Sequence, residues 1–144
     1  MTPPLFVPES FDVVIEVPRG GMVKRRGDGR IDFIALPSPF NYGSIVGTLA
    51  PDGDPYDAIV LGPRMRAGVT LECTALAVFG FLDRGQLDPK IVCGPGPLAD
   101  ADRRRVERFF AIYQRFKRGL QRIRGQSEPT EVLGWLPWTS RSSS

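Results

Sequence analysis

Three carboxylates fall close together in one short segment, at Asp52, Asp54 and Asp57. Carboxylate oxygens are the ligands that hard divalent cations such as Mg²⁺ prefer, so this spacing suggests a metal site. Gly53 allows the backbone to bend, Pro55 stiffens the turn, and the apolar run after Asp57 would anchor it. The same residue types also form ordinary turns, and for Asp52–Pro55 alone that interpretation is favoured.

Further acidic residues strengthen the metal hypothesis. Asp83 and Asp88, followed by Lys90, come directly after a long apolar stretch. Glu16 lies inside the apolar run Asp12–Val17, where a carboxylate facing the core would need a partner or a metal ion. If Glu16 faces solvent instead, it needs neither, and strand alternation permits that orientation.

The composition excludes several other chemistries. The chain has no histidine, which removes Ser-His-Asp triads, Cys-His dyads and histidine-ligated zinc or iron. The only two cysteines, Cys73 and Cys93, cannot form a four-thiolate zinc site. Acid-base chemistry would therefore depend on carboxylates, lysine, tyrosine or water activated by a metal.

Charge and hydropathy bear on partners and location. The net charge of +3 is concentrated in the Arg-rich segment 102–124, opposed there only by Asp102 and Glu107. The N-terminus lacks the features of a signal peptide, and no apolar run approaches the ~18 residues of a membrane span. With free thiols, these features favour a cytoplasmic protein that does not bind membranes.

The hydrophobic patterns predict many short strands and one helix. The helix would begin near Asp100 or Asp102 and end at Gly119, with Phe109, Phe110 and Phe116 in the core. Strands are predicted at Asp12–Val17, Ile31–Leu36, Ala58–Leu61, Thr70–Leu82 and Ile91–Cys93. A loop or hairpin tip is predicted at Arg19–Gly29, and a closing hairpin from Leu120–Arg124 and Thr130–Leu133. These elements predict a mainly β, α+β fold, a small β-barrel with one main helix packed on it.

The predicted organisation is a single domain. Residues 11–138 would form it, residues 1–10 an extended N-terminal arm, and residues 139–144 a disordered tail.

Several motifs occur in an order and spacing that resemble the soluble family I inorganic pyrophosphatases. The segment Asp52–Asp57 is similar to that family's Asp-x-Asp-Pro-hydrophobe-Asp loop. The other matching elements are Val14–Pro18, Asn41–Gly43, Gly47–Leu49, Asp83 with Asp88 and Lys90, Phe109 with Phe110 and Tyr113, and Gly134 with Trp135. The resemblance extends from about Phe11 to Trp135.

The resemblance implies an OB-like five-stranded β-barrel with one main flanking helix. It also implies hydrolysis of pyrophosphate to two phosphates with several Mg²⁺ ions, in a homo-oligomer that is often a hexamer. By position, Asp54 would accept a proton from the attacking water. The implied metal ligands are Asp52, Asp57 and Asp88 for the two metals that share that water, with Asp83 and Glu16 for the metals that arrive with substrate. The implied phosphate-binding residues are Lys24, Arg30, Tyr42, Lys90 and Tyr113.

Some matched positions depart from the family pattern and keep two alternatives open. Arg26 stands where a glutamate is usual, Ser38 replaces a tyrosine, Arg84 an acidic residue and Gln114 a lysine. A degenerate, non-catalytic pyrophosphatase fold is one alternative. The other is an OB-like nucleic-acid binder that uses the arginine-rich helix, although the aspartate loop would repel a nucleic-acid backbone.

Overall fold

The computed structural model describes residues 5–27, 30–50, 53–125 and 128–140. For residues 22–27 and 30–36 it describes only the backbone. These described residues form twelve strands and one helix. The strands are β1 (Leu5–Phe6), β2 (Phe11–Val17), β3 (Met22–Gly27), β4 (Arg30–Pro37), β5 (Asn41–Ile45), β6 (Asp57–Val60), β7 (Thr70–Cys73), β8 (Ala75–Asp83), β9 (Gln86–Leu87), β10 (Lys90–Cys93), β11 (Glu131–Leu136) and β12 (Trp138–Thr139). The helix, α1, spans Asp100–Ile123.

One large sheet organises the fold. Its strands follow the order β11-β8-β10-β6-β5-β2-β7, and β9 pairs with β8. All of these neighbours are antiparallel except β6 and β10, which are parallel. The α+β class predicted from the sequence is confirmed, and the hydrogen-bonded path through this described sheet holds seven strands where five were expected.

Two hydrophobic cores lie on the two faces of this sheet. Alternate residues of one strand point to opposite faces, so Phe79 and Phe81 of β8 join one core and Val78 joins the other. The first core lies between the sheet and α1, where Phe110 stacks on Phe79 at a centroid distance of 5.3 Å. The second includes Val13 of β2. The sheet is therefore buried from both sides, which gives the strands a rigid frame.

The helix extends further than its pattern predicted. Phe109, Phe110 and Tyr113 are buried as expected, but Phe116 is 53% exposed, so its assignment to the core was wrong. Gly119 does not end the helix, and residues 120–123 form its last turn rather than a hairpin strand. Buried Gln121 explains the extension, because its amide reaches across to the following chain segment at Thr130.

One other prediction of local structure was wrong. The stretch Thr70–Leu82 is divided after Cys73, since β7 pairs with β2 whereas β8 pairs with β10 and β11. This error arose because strand pairing, which depends on distant residues, overrides the local pattern. In the segment Arg19–Gly29, predicted as a loop or hairpin tip, residues 22–27 form strand β3, which pairs with β4 in a hairpin.

The two ends of the described chain meet. β1 pairs in parallel with β12, and Val7 beside it is almost fully buried. The predicted tail includes Thr139 of β12, and its residues 141–144 lie outside the described residues. In the described part of the chain, no helix is both long and apolar enough to cross a membrane.

Candidate active site

Two aspartates from different parts of the sequence converge on one lysine. Lys90 Nζ lies 2.5 Å from Asp57 Oδ2 and 2.9 Å from Asp88 Oδ2. Lys90 and Asp57 are directly opposite each other where β10 pairs with β6. The Lys90 side chain is only 3% exposed. A buried ammonium ion is tolerated only when it is paired, and here two carboxylates provide that pairing.

The neighbouring strands extend this polar row across the sheet. Tyr42 of β5 donates its hydroxyl proton to Asp57 Oδ2 at 2.9 Å, and the Lys90 ammonium lies 5.5 Å from the centroid of the Tyr42 ring. Ser44, opposite Asp57 in the pairing of β5 with β6, donates to Glu16 Oε1. Glu16 is exposed rather than turned into the core, so its carboxylate lies on the same face as Ser44 and Asp57.

Asn41 and Gly43, on either side of Tyr42, hold this strand in place. Asn41 is fully buried, and its amide nitrogen donates to the carbonyl oxygen of Pro63 at 2.9 Å. Gly43 has no side chain because a Cβ there would collide with the carbonyl oxygen of Val14 in β2. The Asn-Tyr-Gly element therefore fixes β5 by packing, and only its tyrosine reaches the acidic residues.

Asp83 lies at the end of β8, immediately before a tight turn. Arg84 and Gly85 both have positive φ, 49° and 80°, and Asp83 pairs with Gln86 across them. That conformation is the two-residue turn typical of β-hairpins. Asp83 Oδ1 lies 3.4 Å from Lys117 Nζ of α1, in a pair whose side chains are 12% and 5% exposed.

Thr130 ties this turn to the helix. Its hydroxyl oxygen accepts hydrogen bonds from the Arg84 amide at 3.1 Å and from the Gln121 side-chain amide at 2.7 Å. Its carbonyl oxygen accepts another from Arg118 Nε at 2.8 Å. Lys117, Gln121 and Thr130 were not predicted from the sequence. The buried helix stripe of Tyr113, Lys117 and Gln121, with its four-residue spacing, was the signal that could have shown the first two.

The aspartate loop is closed by its own backbone. Ala50 donates its amide proton to the carbonyl oxygen of Asp54 at 2.7 Å, and Gly53 has a φ of 90°, which favours glycine. The Thr48 hydroxyl accepts a hydrogen bond from the Tyr56 amide at 3.0 Å, which fixes the approach to β6. Asp54 is exposed, whereas Asp52 lies outside the described residues.

Three further residues, Lys24, Arg30 and Tyr113, were predicted to bind phosphate, and the structure describes the side chain of Tyr113. Lys24 and Arg30 belong to β3 and β4, and their side chains lie outside the described part of the chain. Tyr113 is buried on α1, with its ring 5.5 Å from that of Phe81. Phe110, its neighbour on the helix, lies 6.0 Å from the Lys90 ammonium.

Two of the positions that depart from the family pattern have structural partners. Ser38 is buried and donates its hydroxyl proton to the carbonyl oxygen of Phe40 at 2.5 Å, so it stabilises the turn between β4 and β5. Gln114 accepts a hydrogen bond from the Val132 amide at 2.6 Å and thereby joins α1 to β11. Neither side chain is engaged with Asp57 or Asp88 in the contacts described.

The chemistry of the donors fits a hard divalent cation in part. Asp57 and Asp88 present oxygen atoms within 2.9 Å of a single nitrogen, so their carboxylates already converge on one cation. Oxygen ligands of this kind suit Mg²⁺. Among the described residues, however, no group of three or more potential ligands is placed to hold a metal ion. Asp52, the expected third carboxylate, is not among them.

Comparison with known proteins identifies the family. A family profile described as "Inorganic pyrophosphatase" matches residues 13–133. An inorganic pyrophosphatase of Streptomyces coelicolor is 32% identical over 130 residues, which cover 76% of this chain and 80% of that protein. One from Aquifex pyrophilus is 31% identical over 135 residues, covering 78% and 76%. The solved inorganic pyrophosphatase of Thermus thermophilus superposes with a TM-score of 0.67 at 27% identity, covering 91% of this chain and 84% of that one.

The acidic residues on the strands, together with this agreement in sequence and fold, define the class, a phosphoanhydride hydrolase. The chain belongs to the inorganic pyrophosphatase family, as its resemblance to the family I enzymes predicted. The prediction of an inorganic diphosphatase is thereby confirmed at the level of the family. The alternatives of a non-catalytic relative and a nucleic-acid binder are not favoured.

Proposed function

We propose that this chain hydrolyses inorganic pyrophosphate to two phosphates with Mg²⁺ as the activating metal. The observation that carries the proposal is the convergence of Asp57 and Asp88 on Lys90 beside the Tyr42 hydroxyl. This group combines oxygen ligands for a cation with donors for phosphate oxygens. Family membership supplies the reaction class, and the metal's identity is inferred from the all-oxygen donor set.

Five acidic residues are the proposed metal ligands. Asp57 and Asp88 would hold metal together with Asp52, while Asp83 and Glu16 would serve the metals that accompany the substrate. Bound Mg²⁺ lowers the pKa of water and neutralises charge on the phosphoanhydride. Lys90 keeps Asp57 and Asp88 at a short, fixed separation because it donates to both.

The protein's own proton acceptor and phosphate donors complete the proposal. Asp54, exposed on the aspartate loop, would accept the proton of the attacking water. Cationic and phenolic donors would bind the phosphate oxygens and stabilise the charge that the leaving phosphate develops. These residues are Lys24, Arg30, Tyr42, Lys90 and Tyr113.

Assembly and location form part of the same proposal. We infer a homo-oligomer, a hexamer by resemblance, which is consistent with the exposed apolar side chains of Phe6, Val46 and Leu49. Phe6 and Leu49 border a cleft of about 210 Å³ beside β1. A cytoplasmic location is supported by the two unpaired cysteines, Cys73 and Cys93, since reducing compartments keep thiols free.

The test is phosphate release from a panel of phosphoanhydrides by the metal-stripped protein, with and without added Mg²⁺. Pyrophosphate, tripolyphosphate and ATP are supplied at equal concentration. We expect Mg²⁺-dependent release with a clear preference for pyrophosphate. Release from tripolyphosphate or ATP in preference to pyrophosphate would contradict the proposed substrate, and equal release in the presence of excess EDTA would contradict the metal requirement.

A further inference from the structure

Lys117 is a charged residue on the buried stripe of α1. With Tyr113 and Gln121, each four positions away, it faces the sheet, and its side chain is 5% exposed. A lysine at such a position is costly unless its ammonium meets an opposite charge. Asp83, 3.4 Å away and 12% exposed, supplies that charge.

Thr130 joins the turn that follows Asp83 to the helix that carries Lys117. The backbone amide of Arg84, directly after Asp83, donates to the Thr130 hydroxyl at 3.1 Å. Arg118, next to Lys117 on α1, donates to the carbonyl oxygen of Thr130 at 2.8 Å. These contacts hold the turn against α1, where the Lys117 ammonium lies 3.4 Å from the Asp83 carboxylate.

We propose that Lys117 is a positioning residue that acts as a resident cation for Asp83 and competes with divalent metal for its carboxylate. This inference rests on the proposed function in one respect, since that function assigns Asp83 to a metal that accompanies the substrate. A divalent ion approaching Asp83 meets the repulsion of the ammonium ion and must weaken an established ion pair. Asp83 is thus a weak metal ligand until the negative charge of the substrate is present.

The contrast with the Asp57 and Asp88 pair shows why the effect is specific. There one ammonium is shared by two carboxylates, so an excess negative charge remains to attract a metal ion. The ion pair of Asp83 with Lys117 instead joins one carboxylate to one ammonium, so the positive charge opposes metal more strongly there. The order in which the positions accept metal follows from this difference in local charge.

The experiment measures Mn²⁺ binding to the full-length, metal-stripped protein by equilibrium dialysis without pyrophosphate. In Lys117→Met, we expect the weakest Mn²⁺ affinity detected to rise by about tenfold, a change of about 1.4 kcal/mol. Lys117→Arg keeps the charge and should bind Mn²⁺ like the wild type. Arg115→Met removes the same charge from an exposed position on the same helix and serves as the matched control.

The double variant Asp83→Asn with Lys117→Met should not show the increased Mn²⁺ affinity, because the carboxylate for which Lys117 and the metal compete is absent. Unchanged Mn²⁺ affinity in a folded Lys117→Met protein would overturn the inference, as would an equal gain in Arg115→Met. If Lys117→Met does not fold, the Asp83→Asn variant alone tests the proposal. Asp83→Asn should retain every tight Mn²⁺ site of the wild type, and loss of a tight site would overturn the proposal. Because no turnover is measured, an inactive protein with the expected Mn²⁺ shift would contradict only the proposed function.

Discussion

Lys90 of β10 and Asp57 of β6 are directly opposite each other in parallel pairing, with 2.5 Å between Nζ and Oδ2. The backbone hydrogen bonds of two buried strands thus set the distance between these charges. Functional groups placed on strands are held more precisely than groups placed on loops. Asp88, which precedes Lys90 by two residues, joins the pair through the same lysine at 2.9 Å.

Removing this lysine should destabilise the protein strongly. Lys90→Met leaves the half-buried Asp57 and the buried Asp88 without their shared counter-ion, and breaking such a pair costs about 3–5 kcal/mol. Denaturant unfolding of metal-free protein would measure the loss. Added Mg²⁺ should restore more stability to the variant than to the wild type, since the cation replaces the ammonium. An unchanged midpoint of denaturant unfolding in the metal-free variant would show that the ion pair contributes nothing to the free energy of unfolding.

Asp54 should matter for turnover and not for folding. It is exposed, so Asp54→Asn is expected to change the free energy of unfolding by no more than about 0.5 kcal/mol. Loss of a general base typically lowers the rate by about 10²–10⁴-fold. Steady-state hydrolysis of pyrophosphate measures this loss, and Glu72→Gln, an exposed change on β7, is the control. Wild-type turnover in Asp54→Asn would rule out Asp54 as the base.

Much of this fold could be predicted from the sequence because its strands have clear local patterns. The β-branched run before Pro18 and the apolar run after Asp57 both form strands where expected. The division of Thr70–Leu82 could not be predicted. It depends on β7 and β8 pairing with different partners, which the local sequence does not encode.

Motifs indicated some residues of the candidate site, whereas residues placed by packing were not predicted. Asp57, Asp88 and Lys90, which the resemblance assigned to one site, are in contact, and their roles stay predictions. Lys117 was missed because a lysine within an arginine-rich helix resembles a solvated residue. Only the tertiary packing of α1 shows that its ammonium reaches Asp83. Thr130 was missed for the same reason, since its role depends on contacts with two distant segments.

Thr130 should stabilise the turn that follows Asp83. Thr130→Val keeps the shape of this buried side chain but removes the acceptor for the Arg84 amide and the Gln121 side chain. Leaving buried donors unsatisfied costs about 1–3 kcal/mol. Urea unfolding would measure this cost, and hydrogen exchange at the Arg84 amide should become faster. Thr70→Val, an exposed change of the same kind, should have neither effect, and equal behaviour of the two variants would refute the role of Thr130.

The buried Cys93 thiol should make the free energy of unfolding decrease in alkaline solution. This thiol is fully buried, and its hydrogen bond with the Cys73 thiol, together with desolvation, raises the pKa of Cys93 well above the usual 9.0. The same hydrogen bond lowers the pKa of Cys73, so Cys93 is the thiol of this pair that keeps its proton. The folded state therefore retains a proton that the unfolded state releases above that pH. The stability contributed by this group is complete below 9.0 and declines as the pH rises further.

The measurement is the free energy of unfolding from neutral pH to above 9.0, compared between wild type and Cys93→Ala. The variant should be less stable at neutral pH because a buried side chain is truncated, yet its alkaline decline should be shallower. Identical alkaline slopes would show that Cys93 does not retain its proton in the folded state.

The most direct test of the proposed function is the rate of phosphate release from pyrophosphate with saturating Mg²⁺ in wild type, Asp57→Asn and Asp12→Asn. Asp57 contacts Lys90 and Tyr42 in the candidate site, whereas Asp12 is exposed on β2. The account predicts Mg²⁺-dependent release in wild type and Asp12→Asn and its loss in folded Asp57→Asn. Equal release by all three proteins, or release by none, would contradict it.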